Sequence, residues 1–288
     1  MKKFLKGSSS LRDYVHQEFH DREEQICKLR QTGMGLLDRL FDRIPSRPPG
    51  TEGTWTLVEQ VSDEFEGNSL DTSKWEPFNR NWRGRPPGWF NSENVTVGDD
   101  CLQLHSRLQD PPPGYPPDYH TFSTAFVRSK TKVRYGYFEA RVQPARSCIS
   151  SAFWFVRNDA EAWNEIDVFE VSNKDGHECS FTMNAHVFRK GTQVMQRKLH
   201  HAQATTLPFR VCDQPFTAAL DWTPQYLKWL VDGKVVRQLP NEHWHDHMWV
   251  QFDSETMPNW FGNPSCEDDR DVPCCYKVYY IRAWQREG

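Results

Sequence analysis

Apolar residues recur at three- and four-residue spacings over one sustained stretch, between positions 11 and 44: Leu11, Val15 and Phe19, then Ile26 and Leu29, then Leu36, Leu37, Leu40, Phe41 and Ile44. That period predicts one or two amphipathic helices. The segment Ile44-Pro-Ser-Arg-Pro-Pro-Gly50 ends the pattern, because proline and glycine punctuate regular structure, and it reads as a linker. Two parts are therefore expected: a helical extension with its linker over 1–50, and a main domain over 51–288.

From Thr54 onward the period changes to two. Short β-rich runs occupy 94–97, 101–104, 132–142, 216–222, 226–231, 248–252 and 276–284. Gly98-Asp-Asp100 separates the first two, and Asp232-Gly233 separates two more in a hairpin signature. Many short strands with no intervening helices predict an all-β domain. Its expected architecture is an antiparallel two-sheet β-sandwich (jelly roll) with an N-terminal helical extension, rather than a barrel or an α/β fold. The proline-rich segment 107–120 and the long segment 254–275 are expected to be loops that shape a cleft.

Within one such run, Trp163-Asn-Glu165-Ile-Asp167-Val-Phe-Glu170, three acidic side chains alternate with apolar ones. On a regular strand Glu165 and Asp167 share a face, and Phe169, not Glu170, comes next on it. A β-bulge of one extra residue between Asp167 and Glu170 would return Glu170 to the acidic face and leave the apolar residues to the core. Three carboxylates on one face push their pKa values apart, so that one holds a proton near neutral pH while another is ionised. Glycoside hydrolysis needs that division, with a retaining pair of carboxyls roughly 5–5.5 Å apart. Backbone positions so spaced along a strand are on the order of 13 Å apart, so both Glu side chains would have to lean inward. A solvent-facing acidic strand and a calcium-binding acidic cluster remain as alternatives at this point.

Composition narrows the ligand. A formal net charge of −4 gives no global cationic surface for nucleic acid or an anionic membrane, and no stretch is apolar enough to span a bilayer. Twelve Trp, nine Tyr and eighteen Phe supply flat faces with polar edges of the kind that suit sugar rings. The eight cysteines lack the paired spacing of a zinc site, and some disulfides are expected if the protein is exported. The chain begins with basic residues but has no apolar segment behind them, so no export signal is visible.

The string Glu165-Ile-Asp-Val-Phe-Glu170 resembles the signature of glycoside hydrolase family 16 in its bulged form. Val61-Ser-Asp-Glu-Phe-Glu-Gly67, Gly136-Tyr-Phe-Glu-Ala-Arg141 and Ser151-Ala-Phe-Trp-Phe155 are similar to other strands of that family. Asn81-Trp-Arg-Gly-Arg-Pro-Pro-Gly-Trp-Phe90 and Phe252-Asp-Ser-Glu-Thr-Met-Pro-Asn-Trp-Phe-Gly262 resemble segments of its β-agarase and β-porphyranase branch. The resemblance covers roughly residues 55 to 285. It implies that Glu165 is the nucleophile, Glu170 the general acid/base and Asp167 the assisting carboxylate. It also implies that Trp82, Arg85, Trp154, His186, Asp253, Glu255 and Trp260 contact substrate. Arg83 and Arg85 suit sulfate esters.

The activity implied is endo-acting, retaining hydrolysis of a β-linked red-algal galactan of agarose or porphyran type. No cofactor and no metal at the site is required, and a structural calcium ion is compatible with the sequence. The expected partner is the polysaccharide alone, with the protein a monomer and extracellular. Two alternatives stand beside this: the same mechanism on κ-carrageenan or a β-1,3-glucan, and a non-catalytic carbohydrate-binding sandwich, for which loss of a catalytic Glu would be the sign.

Overall fold

Seventeen strands emerge from the alternating pattern in the described residues of the computed structural model, 44–191, 193–267 and 271–287. They begin with β1 (Trp55–Leu57), β2 (Trp75–Glu76), β3 (Gly88–Phe90), β4 (Val95–Gly98), β5 (Cys101–Leu108), β6 (Phe122–Val133), β7 (Gly136–Gln143), β8 (Ser150–Asn158) and β9 (Ala162–Val171). β10 (Ser180–Lys190), β11 (Gln193–His200), β12 (Gln203–Thr206), β13 (Phe216–Trp222), β14 (Tyr226–Val231), β15 (Lys234–Pro240), β16 (Met248–Glu255) and β17 (Cys274–Arg286) follow. The helices expected over 11–44 lie outside the described residues, apart from Ile44, which is not helical.

Two layers result, as the alternation requires when each strand buries one face. The first sheet runs β15-β14-β13-β7-β17, with β1 and the β5–β4 hairpin on the other edge of β17. The second runs β2-β6-β16-β8-β9-β10, with β11 and β12 on β10. The long strands β5 and β6 pair where the layers meet, and every ladder is antiparallel except β3 with β6. Aromatic side chains fill the space between the layers. Phe138 of β7 meets Phe155 of β8 edge-on with ring centres 5.0 Å apart, and Trp222 of β13 packs on the same Phe155. Each such side chain removed from water contributes about 1.5–3 kcal/mol.

In β9 the bulge demanded by the acidic spacing is present. Phe153 of β8 pairs with Phe169 and Trp154 with Asp167, so Val168 has no partner of its own. On the other side Thr182 of β10 pairs with Glu170 and Asn184 with Asp167, so that Val168 and Phe169 together face the single Met183. Val168 and Phe169 consequently both enter the core, while Asp167 and Glu170 both leave it. The opposite sheet holds the distortion in place: the Trp229 indole of β14 donates to the Asp167 carbonyl at 2.8 Å, and the Arg237 guanidinium of β15 lies over the Trp229 ring. Trp229→Phe keeps the ring and loses this bond. A loss of about 1–2 kcal/mol in chemical denaturation is expected, because a buried carbonyl is left unsatisfied. A variant as stable as the wild type would show that the bulge does not need the indole.

The seven described cysteines are all free thiols, so the expected disulfides are not formed among these residues. Burial holds Cys148 and Cys275 up at about 12 and Cys274 at about 11, which makes them poor nucleophiles. Among the described residues no helix is long and apolar enough to cross a membrane.

Candidate active site

The outer face of the second sheet is the floor of a cleft of about 640 Å³. Strand register sets its contents row by row. Asp167, Trp154, Gln251 and Arg128 lie side by side across β9, β8, β16 and β6. Glu170, Ala152 and Asp253 form the next row, and the small Ala152 leaves open space between two carboxylates. In the third, Glu165 pairs with Val156, and Val156 with Trp249. All three sequence-predicted acids are therefore brought together on one surface, together with Trp154, Asp253 and Glu255.

One wall is the loop between β2 and β3. Gly84 has a φ of +108°, and a Cβ there would sit 2.9 Å from the Gly88 carbonyl oxygen, so only glycine closes the turn without strain. Thr256, just past β16, fastens the loop by donating to the Arg85 carbonyl and accepting from the Gly88 N–H at 3.0 Å, while the Tyr119 hydroxyl donates to the Gly84 carbonyl. Trp82 thereby stands edge-on to Trp154 at 5.9 Å. Arg85 reaches the buried Glu255, Nη2 to Oε1 2.9 Å, and keeps 52% of its side chain exposed. The Trp154 indole donates to Asp253 Oδ2 at 2.7 Å, so Asp253 orients the tryptophan from below.

His186 of β10 completes the acidic face. Its Nε2 lies 3.1 Å from Asp167 Oδ2 and 3.8 Å from Glu165 Oε1, although it is not among the side chains that line the cavity. Trp260 is not brought in either. It sits on the loop after β16, 39% exposed and stacked on Phe261 at 4.3 Å. The turn formed by the Trp260 and Phe261 N–H groups on the Met257 carbonyl carries it beyond the cavity.

The carboxylates are electrostatically unequal. Burial, then the Asp167 carboxylate, hold Glu165 well above its ordinary 4.5, but the Trp163 indole and the Arg85 charge pull the other way. Glu170 is held well above its ordinary value by burial first, then by Asp167, Glu165, Glu255 and Asp253, and the more distant pull of Arg85 opposes this only weakly. Burial and Glu255 raise Asp253 well above its ordinary value, and burial raises Glu255 against the opposing pull of Arg85. Such a cluster cannot be fully ionised, and its protons are shared in steps that belong to the group as a whole. The proton rests best on Glu170, whose main influences are all upward, and a carboxylate is more accessible at Glu165, where Arg85 pulls harder the other way.

A stability consequence follows. The folded state keeps protons on these carboxyls that the unfolded chain has released, so stability falls as pH rises from the ordinary carboxylate range toward the raised folded values. Glu170→Gln removes one such group. In thermal scans it is expected to match wild type at about pH 4 and to exceed it at about pH 8; a difference that does not grow with pH would contradict the raised value.

Among the described residues, Glu165, Asp167 and His186 are the group close enough to share a cation, their ligand atoms lying within 4.8 Å of one another. Asp167 Oδ2 is buried there without a hydrogen-bond partner. Sequence reasoning missed Trp163, Trp249, Gln251 and Arg128 in the cleft lining. Trp249 and Gln251 carried a signal: with Asp253 and Glu255 they share the period-2 outward face of β16. Arg128 had none, since its place depends on the pairing of β6 with β16 and on stacking over Trp249 at 4.6 Å.

With the geometry in place, three comparisons bear on the family. β-Porphyranase B of Zobellia galactanivorans is 33% identical over 102 residues, 35% of this chain and 35% of that protein. The κ-carrageenase of Pseudoalteromonas carrageenovora is 27% identical over 88% of this chain and 71% of its own length. The crystal structure of porphyranase B from Zobellia galactanivorans superposes with a TM-score of 0.74 at 21% identity, covering 84% of this chain and 99% of that one. The chain spans about a third of the length of the curated porphyranase relatives it resembles, 35%, 27% and 38% of three of them. The domain described as "Beta-porphyranase A-D, GH16 domain" matches residues 55–286, nearly the whole sandwich with its bulged acidic strand, and the chain belongs to glycoside hydrolase family 16.

Proposed function

We propose that this protein is an endo-acting, retaining glycoside hydrolase that cuts a β-linked galactan of porphyran or agarose type by double displacement. The observation that carries the reading is the bulged strand that sets Glu165, Asp167 and Glu170 together on the floor of an aromatic-walled cleft. Glu165 attacks the anomeric carbon while Glu170 protonates the glycosidic oxygen, and the leaving chain departs with that proton. Glu170, now a carboxylate, then takes a proton from a water that displaces Glu165 from the glycosyl–enzyme intermediate. Asp167, with His186 at its side, is the assisting carboxylate that holds the proton balance between Glu165 and Glu170. No step calls for a cofactor.

Trp82 and Trp154 offer ring faces and edges to the sugars beside the cut bond. Arg85 is half exposed beside Glu255, and Arg83 lies over Tyr115 at 5.1 Å, so the rim offers guanidinium groups to sulfate esters. That favours a sulfated galactan over a neutral glucan. Trp260 would meet only a chain that extends past the cavity. A polymer of this kind is met outside the cell, and the site is complete within a monomer.

Reducing-end release from porphyran, agarose, κ-carrageenan and laminarin tests the reading, with Glu165→Gln and Glu170→Gln as controls. Release is expected from one of the two galactans named first and not from the control variants. Binding to one polymer without release from any would leave a carbohydrate-binding sandwich in its place, and release from laminarin alone would move the substrate to β-glucan.

A further inference from the structure

We infer that His200 is a positioning residue for the acidic site: it donates its Nδ1–H to His186 and thereby fixes His186 as the neutral tautomer whose Nε2–H lies on the side of Asp167. The inference rests on Glu165, Asp167 and Glu170 being the catalytic set, and adds a residue from a strand that does not line the cleft. β10 and β11 pair so that His186 and His200 lie opposite each other, and their Nδ1 atoms are 2.6 Å apart. Two imidazole nitrogens at that distance share a single hydrogen, since two would collide and none would leave two lone pairs opposed.

The far side of His186 decides where hydrogens stand. Its Nε2 faces Asp167 Oδ2 at 3.1 Å and Glu165 Oε1 at 3.8 Å, and carboxylate oxygens accept, so Nε2 carries a hydrogen. If His186 also held the hydrogen at Nδ1, it would be a cation against the nucleophile. A full positive charge there would bind the Glu165 carboxylate in the ground state as well as in the transition state, and only the difference speeds the reaction. With the hydrogen on His200, His186 stays a neutral ring with its Nε2–H beside Asp167, without that cost.

The surroundings favour this arrangement. Phe188 stacks on the His186 ring at 5.1 Å and 16°, which holds its plane, and the Trp244 indole donates to the His186 carbonyl. His200 stands edge-on to both rings. Burial, then the neighbouring His186, Lys198 and His201, push His200 below its ordinary 6.5, so it meets His186 as a neutral ring. The other charged groups facing the pair are Glu165 and Asp167 of β9, while Lys198 of β11 lies over Phe188 at 5.5 Å.

The test uses His200→Asn, whose amide N–H can stand in for Nδ1–H, and His200→Phe, which keeps a ring without a donor. Nitrogen-15 spectra of histidine-labelled protein at neutral pH read the tautomer directly. Wild type and His200→Asn are expected to show His186 protonated at Nε2 alone, and His200→Phe a mixture. On porphyran and agarose, His200→Phe is expected to lose about tenfold in kcat with KM changed less than about twofold, the effect of one hydrogen bond that matters most as charge develops. His200→Asn should keep kcat within about threefold of wild type on the same footing.

A wild-type His186 protonated at Nδ1, or a His200→Phe protein with unchanged spectrum and kcat, would overturn the assignment. So would equal kcat losses in both variants with the His186 tautomer intact, which would mark His200 as merely structural. If wild type hydrolyses neither polymer the parent reading fails, yet the spectra still decide the tautomer.

Discussion

Glu165→Gln is expected to yield a folded protein that binds polymer and hardly cuts it. The amide has the shape of the carboxylate, but it has no anionic oxygen with which to attack an anomeric carbon. Loss of a nucleophile that forms a covalent intermediate costs at least about 10³-fold in kcat. Folding should not suffer. Glu165 is crowded by Asp167 and by burial, so a neutral side chain relieves repulsion in the native state at neutral pH. Retarded migration in a gel containing the polymer reads binding, and reducing-end release reads chemistry. Retention of more than about a tenth of wild-type kcat would remove Glu165 from the nucleophile's place.

Much of this site could be read before any coordinates. The one-residue surplus between Asp167 and Glu170 is a counting argument. Strands have a period of two, the acids did not obey it, and Val168 is the residue left without a partner against β8, while Val168 and Phe169 together face Met183 of β10. Asp253 and Glu255 rest on the resemblance of 252–262 to the family alone; the alternation predicts a strand ending at 252, whereas β16 continues to Glu255 and sets both acids opposite the inward Phe252. What the chain hides is anything set by which strands become neighbours. Arg128 enters the cleft only because β6 lies against β16, and His200 meets His186 only because β11 folds back on β10. The Trp229 bond to the Asp167 carbonyl crosses from one sheet to the other over 62 residues of sequence. Trp260 is the opposite case: its motif resembles a substrate-contacting segment, and a turn closed on the Met257 carbonyl sets the ring outside the cavity.

The two sheets divide the labour of the fold in a way that explains why so many acids are tolerated. Inward positions of β8, β9 and β16, such as Phe153, Phe155, Ile166, Val168, Val250 and Phe252, are all fully buried in one core. That packing anchors strands whose outer faces carry five carboxylates against few cations. Arg85 is committed to Glu255, and Arg128 to Glu76 at 2.8 Å. Burial first, and then the repulsion left over, raise Glu170 above the ordinary glutamate range, which is what a proton donor at that position requires.

Glu170→Gln should therefore fail in a manner that distinguishes it from Glu165→Gln. Its loss removes the proton needed by the departing sugar oxygen, a poor leaving group, so hydrolysis of the natural polymer is expected to fall by about 10²–10⁴-fold. The nucleophile is untouched. With a glycoside whose leaving group is a dinitrophenolate, which departs without protonation, Glu165 should still form the glycosyl–enzyme intermediate. Breakdown of that intermediate then becomes slow, because the base that activates water has gone too. A burst of dinitrophenolate followed by a slow phase is expected, and added azide, a nucleophile that needs no base, should speed the slow phase and appear in the product as a glycosyl azide of retained configuration. Glu165→Gln should show neither burst nor rescue of this kind. An azide product of inverted configuration, or a burst in Glu165→Gln instead, would exchange the two roles or end the retaining assignment; the electrostatic asymmetry between the two glutamates, whose main influences are all upward only at Glu170, predicts that neither will be seen.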